Sequence, residues 1–312
     1  MPQTVLLGDP ACFRIKSGAN PHTRDAWGRR KRVDLRRAID QWTRFKSLLE
    51  QQGVAVRVIP SSEEWPGLVF PANAGFRFGN RFYLSRLHPG RAGEADAYRR
   101  AVSALGLTVL DFPADLPFEG EADFFPVGGS GSGPARYLFT SGRLERRRWT
   151  PRLGWPPVRR VYGFRSDPRA LETLRQIVHP AEVIPLELVD ESHYHGDTVL
   201  CPFGPNREFL MAALEGLSER SQMALRGRFG NRLIPLDEPD ARRFAANSFQ
   251  ITVPADGETR RVLLMPDGLT QGLYRQVRQR GVIPCPVDVS EFLEKGGGAV
   301  KCMLLDLGEL PV

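Results

Sequence analysis

The sequence repeats one pattern five times: an amphipathic helix, a glycine or similar breaker, and a short apolar strand that ends near a proline. In the first copy, DLRRAIDQWTRFKSLLEQQG predicts the helix, because Leu35, Ile39 and Trp42 share one face, and VAVRVIP predicts the strand. The later copies read GEADAYRRAVSALG with LTVLDFP, DPRALETLRQIVHP with AEVIPLELVD, NREFLMAALEGLSERSQMALRGRFG with NRLIPLDEPD, and GLTQGLYRQVRQRG with VIPCPVD.

Hairpin signals lie between these copies, so each unit is predicted to contain two further strands. VFPANAGFRFGNRFYLSRL turns at Gly79-Asn80, FQITVPADGETRRVLLMP turns at Asp256-Gly257, and HYHGDTVLCPFGPNREFLM turns near Gly204. Alternating helices and strands also fit an ordinary open α/β sheet. The regular spacing favours an α/β fold of five units arranged in a ring.

One interval is longer than the others. The strand-end prolines at positions 60, 113, 185, 235 and 284 are 53, 72, 50 and 49 residues apart by subtraction. The long interval contains VGGSGSGPAR and an arginine-rich stretch, so we expect an inserted polar loop at about residues 127–160. The whole chain, residues 1–312, is predicted to form a single domain.

Composition limits the class of protein. With 41% hydrophobic and 25% charged residues among 312, the chain can bury a large core, and disorder is not expected. The sequence has neither a leader-like start nor an apolar run of about 18 residues, so we expect a cytoplasmic protein without a membrane partner. The four cysteines show no C-x-x-C spacing and are predicted to be free thiols.

The net charge of +7 raises the question of nucleic-acid binding. Two basic clusters carry the charge, GRRKRVDLRR and RLERRRWTPRLGWPPVRR. No nucleic-acid motif accompanies them, so a solvated surface is the favoured interpretation and a nucleic-acid partner is not expected. A basic RNA-binding protein on an inactive scaffold remains the alternative outside enzyme chemistry.

HYHGDT is the first segment whose side chains are suited to catalysis or metal binding. A strand here would place His193, His195 and Asp197 on one face. The two histidines resemble metal ligands, but the chain offers no second ligand cluster, so we predict no metal and no cofactor. The favoured interpretation is an acid/base role for His195 beside a cation-binding carboxylate, Asp197.

Other reactive side chains occupy equivalent places in other units. FEGEAD supplies Glu119, Glu121 and Asp123, VFPANAGF supplies Asn73, and GGGAVKC supplies Cys302. In a ring of repeats, equivalent positions converge on the axis. A thiol, an imidazole and several carboxylates are therefore predicted to meet in one pocket.

This set suits a guanidinium substrate. Carboxylates can bind its N–H groups in pairs and hold its central carbon over a thiolate. The cation would favour ionisation of Cys302, with possible help from Lys301, and the glycines before Cys302 would allow close approach. His195 would protonate the departing nitrogen, and water would then hydrolyse the thiouronium intermediate.

The chain resembles the guanidino-group-modifying (pentein) superfamily in six segments. In order along the chain they are VFPANAGF, LSRLHPGRAGEA, FEGEAD, YGFRSD, YHGDT and GGGAVKC. The resemblance implies a five-bladed αβ propeller of ββαβ-like units, with the active site on the pseudo-fivefold axis. It also implies Cys302 as nucleophile, His195 as acid/base, Glu119 as the carboxylate that orients His195, and Asp197 as guanidinium anchor. FEGEAD carries an extra acid, so the partner of His195 stays open among its three carboxylates.

Within the superfamily, the chain is most similar to arginine dihydrolases, arginine deiminases and dimethylargininase-like enzymes. Asn73 stands where deiminases usually carry aspartate, which implies tolerance of a neutral ureido group and a second hydrolysis to ornithine, ammonia and carbon dioxide. Dimethylarginine hydrolysis and amidino transfer remain alternatives, and a homo-oligomer is possible. The predicted substrate-binding residues are Asn20, Asn73, Arg86, Asp123, Arg165 and Asp197.

Overall fold

The computed structural model describes residues 2–16, 20–128, 136–144, 149–151, 153, 158–255 and 258–310. Over these ranges the strands form five three-stranded sheets and one two-stranded ribbon. The fold is therefore mixed α/β, built from several small sheets rather than one open sheet.

The elements in the first half of the chain are β1 (Gln3–Gly8), α1 (Leu35–Gln51), β2 (Ala55–Ile59), β3 (Gly75–Phe78), β4 (Arg81–Leu84), α2 (Ala95–Ser103), β5 (Thr108–Asp111), α3 (Gly120–Asp123), β6 (Phe124–Val127), β7 (Arg136–Ser141), β8 (Trp149–Pro151) and β9 (Val158–Arg160). Those in the second half are α4 (Ala170–Val178), β10 (Glu182–Glu187), β11 (Leu200–Phe203), β12 (Phe209–Ala212), α5 (Glu219–Phe229), β13 (Leu233–Pro235), α6 (Glu238–Arg242), β14 (Phe249–Ala255), β15 (Glu258–Pro266), α7 (Gln271–Arg278), β16 (Ile283–Val287), α8 (Ser290–Gly296) and β17 (Leu304–Glu309).

One topology recurs in the three-stranded sheets. An antiparallel hairpin is followed by a helix and then by a strand parallel to the second hairpin strand, as in β3, β4, α2 and β5. The sheets β6-β7-β10, β11-β12-β13 and β14-β15-β16 follow the same plan. A parallel neighbour needs a crossover, and the amphipathic helix supplies it while covering the sheet.

The fifth sheet joins the two ends of the chain. The C-terminal strand β17 is antiparallel to β1, and β1 is parallel to β2 after α1. This sheet has the same order of directions as the others, with its hairpin made from two distant segments.

Four of the five predicted helix and strand pairs match the structure, as α1-β2, α2-β5, α4-β10 and α7-β16. The prediction for the fourth copy is wrong at its start, because residues 209–212 form β12 rather than helix. These residues pair with β11 on one side and β13 on the other, and that pairing outweighs the helix propensity of Leu, Met and Ala.

The hairpin turn at Gly79-Asn80 is confirmed between β3 and β4. The predicted turn at Asp256-Gly257 lies outside the described residues, and so does part of the predicted insertion: 129–135, 145–148, 152 and 154–157. From the insertion the structure describes β7 and the antiparallel ribbon β8-β9.

Apolar side chains between each sheet and its helix form the cores. Phe45 and Leu49 of α1, for example, are fully buried against Val5 and Leu7 of β1. Each such side chain contributes about 1.5–3 kcal/mol when it leaves water. In the described ranges no helix is long and apolar enough to cross a membrane.

Candidate active site

Short helical segments precede the first strand of several sheets and carry the polar side chains of interest. Residues Pro71–Ala74 precede β3, α3 precedes β6, and Gly196–Thr198 precede β11. The prediction that HYHGDT is a strand is therefore wrong. Thr198 Oγ1 donates to the carbonyl of His195 at 2.7 Å and closes a tight turn, so period-two alternation does not apply.

One cavity, of about 100 Å³, is lined by residues from seven separate stretches of the chain. Cys302, His195, Glu119, Asn73 and Asn20 all line it. Arg165 and Tyr194 form another part of the wall. The spatial convergence predicted from equivalent positions is thus present in the structure.

His195 and Glu119 form a buried ion pair. His195 Nε2 lies 2.8 Å from Glu119 Oε2, and both side chains are almost fully buried. The other carboxylate oxygen, Oε1, accepts from the backbone N–H of His88 at 2.8 Å. Of the three acids in FEGEAD, Glu119 is therefore the partner of the imidazole.

The pair shifts both pKa values in opposite directions. Burial alone would raise the pKa of Glu119, but the hydrogen bond and charge of His195, with Arg91 and Arg165, hold it well below its usual range. Burial lowers the pKa of His195, but the charges of Asp123, Glu119 and Asp197 outweigh it, and the net shift is upward. The upward shift favours the imidazolium, which is the form that can donate a proton.

The other two acids of FEGEAD have structural contacts. Glu121 Oε2 pairs with Lys301 Nζ at 2.5 Å and accepts from the N–H of Asp306 at 2.9 Å. The Lys301 ammonium is therefore paired with a carboxylate and, within the described residues, makes no hydrogen bond to the thiol, so the structure gives no support to the prediction that it assists ionisation. Lys301 lines a second cavity of about 40 Å³ that also contacts Glu121.

Asp123 does not line the active-site cavity, which corrects its prediction as a substrate-binding residue. Its Oδ1 accepts from Thr140 Oγ1 at 2.7 Å and from the N–H of Gly196 at 2.9 Å, and Oδ2 accepts from Ser166 Oγ at 2.7 Å. With its oxygens occupied, Asp123 holds the segment next to His195 in place.

Cys302 lies beside Asp197. The thiol Sγ donates to Asp197 Oδ2 at 3.3 Å, and the residues are 3% and 2% exposed. Asp197 Oδ1 is buried without a hydrogen-bond partner among the described residues. An unpaired carboxylate oxygen in a dry site is costly unless a ligand supplies a donor.

Burial dominates the electrostatics of this pair. It raises the pKa of Asp197 to about 6, and nearby charges, His195 first among them, only partly offset that effect. Burial together with the charge of Asp197 raises the pKa of the Cys302 thiol well above its usual value. Without a cation in the site, the thiol is neutral.

Cys302 lies in a turn immediately before β17. Gly297 ends α8 with φ of +80°, a conformation that favours glycine. A Cβ atom on Gly298 would lie 2.8 Å from the Cβ of Cys302, so the backbone approach here requires glycine. The triple glycine thus shapes the turn that presents the thiol to the cavity.

Asn73 contacts two groups in the cavity. Its Oδ1 accepts from Arg91 Nη1 at 2.6 Å, which leaves Nδ2 facing His195 Nε2 at 3.2 Å. Arg91 is itself held by two hydrogen bonds from Nε to Glu94, and a third from Nη2 at 2.6 Å. Sequence reasoning quoted the motif LSRLHPGRAGEA but missed Arg91, selecting its neighbour Arg86.

Arg86 lies outside the cavity. Its Nε donates to the carbonyl of Phe112 at 2.6 Å, and its guanidinium faces Asp111 in a separate cleft. The prediction that Arg86 binds substrate does not match this placement, because the residue follows β4 on the side that faces β5. Arg165, by contrast, is 5% exposed and lines the cavity, where its guanidinium lies 5.4 Å from the ring of Tyr194.

Asn20 also lines the cavity as predicted. Its Nδ2 donates to the carbonyl of Gly296 at 2.8 Å, while its buried Oδ1 has no partner within the described part of the chain. It therefore offers a second unpaired acceptor at the wall of the same site.

Asn247 is a buried polar residue that the sequence analysis missed. Its side chain contacts Cys302 Sγ and the backbone of the turn around it. A signal was available, because Asn247 stands two residues before β14, as Asn73 does before β3 and Cys302 before β17.

His193 is buried and packs against an aromatic ring. Burial lowers the pKa of His193 to about 4, and its ring lies against Phe244 at 5.2 Å, so it packs as a neutral side chain. Within the ranges that the structure describes, no group of three His, Cys, Asp or Glu side chains is arranged to hold a metal ion.

Comparison with known proteins places this geometry in context. No protein-family model matches the chain. The bifunctional arginine dihydrolase/ornithine cyclodeaminase AgrE of Nostoc sp. is 30% identical over 276 residues, which are 88% of this chain and 34% of that protein. The N(G),N(G)-dimethylarginine dimethylaminohydrolase of Mycobacterium tuberculosis is 29% identical over 276 residues, 88% of this chain and 77% of that protein.

A solved structure agrees in fold. The N-terminal domain of ArgZ, a cyanobacterial arginine dihydrolase, has been solved as a cysteine-to-serine mutant bound to substrate. It superposes with a TM-score of 0.80 at 25% identity and covers 98% of each chain. The chain belongs to the guanidino-group-modifying superfamily.

Membership of the pentein superfamily agrees with the mixed α/β fold of small sheets. The chain spans about a third of the length of the two bifunctional curated relatives, AgrE and ArgZ. This superfamily member therefore corresponds to one part of those longer proteins.

Proposed function

We propose that this chain is a guanidino hydrolase that acts on L-arginine through a covalent intermediate at Cys302. The observation that carries the proposal is the Cys302 thiol beside Asp197, whose second oxygen is buried and has no hydrogen-bond partner among the described residues, close to the His195–Glu119 pair. A guanidinium offers a planar set of N–H donors and a positive charge, which an unpaired carboxylate oxygen can bind.

We also propose that the five units stand as blades around a pseudo-fivefold axis, in one catalytic domain of residues 1–312. Two observations support this arrangement. The chain ends meet in one sheet through β1 and β17, and residues that precede different sheets meet in one cavity. A ring brings such equivalent positions together, whereas an open sheet would spread them along its edge.

Binding is the first step of the proposed mechanism. The substrate guanidinium enters the cavity at Cys302 and is proposed to reach Asp197, which contacts the thiol but lines the second cavity of about 40 Å³, and whose Oδ1 has no other partner among the described residues. Its charge lowers the pKa of Asp197 and of the Cys302 thiol, because both anions lie in a buried site where water does not screen them. Arg165 and the Asn20 amide line the same cavity and are proposed to bind the amino-acid end of the substrate.

Attack and departure follow. The Cys302 thiolate forms a bond to the guanidinium carbon, and the resulting tetrahedral adduct expels one terminal nitrogen. The imidazolium of His195 gives that nitrogen a proton, so ammonia leaves and an S-alkylthiouronium remains on Cys302. Glu119 keeps the imidazole oriented and favours its protonated form.

Hydrolysis completes the first turnover. Neutral His195 takes a proton from water, the hydroxide adds to the thiouronium carbon, and collapse expels the Cys302 thiolate with formation of citrulline. In a second turnover, attack at the ureido carbon expels the ornithine amine. The remaining S-carbamoyl group is hydrolysed to carbamate, which gives ammonia and carbon dioxide.

Asn73 supports the second turnover. Since Arg91 occupies its Oδ1, the amide presents only N–H groups toward His195 and the cavity. A ureido oxygen is an acceptor and can use such a donor, whereas a carboxylate at this position would offer none. This contact is proposed to keep citrulline in the site long enough to react again.

A product assay tests the proposal. Purified protein is incubated with L-arginine, and ornithine, citrulline and ammonia are quantified over time, with Cys302→Ser as the matched inactive control. The expected result is ornithine with two equivalents of ammonia. A panel with citrulline, dimethylarginine and other guanidino compounds tests the alternative substrates, and absence of turnover with all of them would contradict the enzyme assignment.

The dimethylarginine alternative has a specific basis, because the mycobacterial relative carries that name and matches 88% of this chain. Amidino transfer, a homo-oligomeric state, a cytoplasmic location and the absence of a nucleic-acid partner remain predictions. Salt-dependent binding of generic RNA, unaffected by Cys302→Ser, would favour the non-enzyme alternative.

A further inference from the structure

The side chain of Asn247 contacts both the proposed nucleophile, Cys302, and the backbone of the turn around it. The residue is fully buried. Its Oδ1 accepts from the N–H groups of Ala299 at 2.9 Å and Cys302 at 3.1 Å. Its Nδ2 donates to Cys302 Sγ at 3.1 Å and to the carbonyl of Asp197 at 3.0 Å.

These contacts fix the orientation of the amide. Two backbone N–H groups converge on one atom, which must be the oxygen, because a nitrogen there would face two donors without a proton acceptor between them. The NH₂ group therefore faces the sulfur. The backbone carbonyl of Asn247 also accepts from the N–H of Lys301 at 3.1 Å, so the turn is anchored on both sides of Cys302.

We infer that Asn247 is a further catalytic residue, which donates a hydrogen bond to the Cys302 thiolate and lowers the free energy of ionisation. The inference rests on the proposed function only in that Cys302 reacts as a thiolate. It adds a specific donor to the positive charge that the substrate supplies.

The surroundings of the sulfur explain why a donor matters. Asp197 accepts the thiol proton when Cys302 is neutral, but its charge opposes the thiolate. Lys301 is paired with Glu121. Among the described side chains, Asn247 donates a hydrogen bond from Nδ2 to Sγ, and this bond, together with a backbone contact at Ala299, opposes the effects of burial and of Asp197.

Alkylation kinetics test the inference without any need for turnover. Wild-type protein, Asn247→Asp and Asn247→Ser are treated with iodoacetamide between pH 6.5 and 9.5. Mass spectrometry follows modification of the tryptic peptide that begins at Cys302. Asn247→Asp is nearly isosteric and keeps oxygens for the N–H groups of Ala299 and Cys302, but it removes the donor and adds a negative charge that itself opposes the thiolate, so Asn247→Ser measures loss of the donor without that charge. Asn247→Ser is the second variant if a carboxylate at this position prevents folding.

Ser248→Ala is the matched control. Ser248 is buried in the same segment and donates to the carbonyl of Ala245 at 2.7 Å, but its side chain has no hydrogen bond to Cys302. This variant loses a buried hydrogen bond next to the site without changing the donor to the sulfur. Thermal melts of all variants verify that the alkylated species is folded.

Loss of one hydrogen bond to an ion shifts a pKa by about 1–2. A less acidic thiol is also a stronger nucleophile, which offsets about half of that effect on a logarithmic scale. The expected result is therefore a decrease of about 3- to 10-fold in the alkylation rate for Asn247→Ser and a larger decrease for Asn247→Asp, with Ser248→Ala at the wild-type rate.

Two outcomes overturn the inference. Alkylation of folded Asn247→Asp or Asn247→Ser at the wild-type rate would remove the donor role. An equal decrease in Ser248→Ala would assign the effect to general loosening of the segment. If the Asn247 effect is found but no guanidino compound is turned over, the inference stands and the proposed function fails. The reverse combination leaves the function intact and removes the role of Asn247.

Discussion

Asp197 Oδ2 accepts a hydrogen bond from the Cys302 thiol at 3.3 Å, while Asp197 Oδ1 is buried and has no partner among the described residues. The carboxylate is thus half satisfied, and its pKa is raised to about 6, chiefly by burial. A bound cation would stabilise this site in two ways, because it can donate to the unpaired oxygen and can favour ionisation of the thiol.

Replacement of Asp197 by asparagine should nearly abolish turnover. The variant keeps the shape of the side chain but loses the charge that holds a guanidinium, an interaction worth about 3–5 kcal/mol in a buried pair. We expect kcat/KM for arginine to fall by about 10²- to 10⁴-fold. Asp167→Asn, which removes a carboxylate paired with Arg169 outside the cavity, is the control and should retain the wild-type value.

The same replacement should stabilise the substrate-free protein at neutral and alkaline pH. The pKa of Asp197 is about 6 in the folded state against 3.8 as its ordinary value, so the folded state binds more protons between these values. Stability therefore falls as pH rises from about 4 through 6, by up to about 3 kcal/mol. Urea unfolding should show Asp197→Asn more stable than wild type at pH 8, with the difference lost at pH 3.5.

The rate of arginine hydrolysis should show a bell-shaped dependence on pH. Protonation of Asp197 should lower kcat/KM as pH falls through about 6, because the neutral acid no longer attracts the cation. Loss of the proton from His195, whose pKa is raised, should produce the alkaline limb. Steady-state kinetics from pH 4.5 to 10 measure both limbs. Because Asp197 and His195 interact, the two apparent pKa values describe the coupled groups together.

Glu119→Gln should move the alkaline limb of that profile to lower pH. Glu119 raises the pKa of His195 through its hydrogen bond and its charge, and glutamine removes the charge while preserving a contact. The decrease in kcat/KM should therefore be small at pH 6 and large at pH 8. A uniform decrease across the range would instead indicate that Glu119 acts only by placing the imidazole.

Asn73→Asp should change the products rather than stop the chemistry. The new carboxylate would pair with Arg91, as Asn73 Oδ1 does at 2.6 Å, and would present an acceptor where the ureido oxygen needs a donor. We expect the ratio of citrulline to ornithine to rise by about tenfold, since a lost hydrogen bond to a neutral group is worth about 1 kcal/mol and repulsion adds to it. An unchanged ratio, measured by amino-acid analysis, would remove the role assigned to Asn73.

The sequence predicted the repeating topology because helix periodicity and hairpin turns are local signals. It also predicted that Cys302, His195, Glu119 and Asn73 meet, because equivalent positions in repeated units converge. The error at residues 209–212 arose where strand pairing on both sides outweighs helix propensity, a tertiary effect that a window of sequence does not contain.

The finer contacts of the site depend on side-chain packing between units. Arg86 and Arg91 lie five residues apart in one motif, and only the backbone path after β4 decides that Arg91 reaches the cavity. The same holds for Lys301, because its ion pair with Glu121 joins two residues that are 180 positions apart in the sequence. Asn247, by contrast, was accessible to sequence reasoning, since it occupies the same place before its strand as Asn73.

The central claim is that Cys302 bonds covalently to the guanidino carbon of the substrate. Rapid acid quench of the protein with L-arginine, followed by mass spectrometry of the tryptic peptide that begins at Cys302, tests it most directly. The account predicts a transient adduct equal to arginine minus ammonia on Cys302, at a level that rises within the first turnover and is absent in Cys302→Ser. Full turnover of arginine by Cys302→Ser, or an adduct on a different cysteine, would contradict the account.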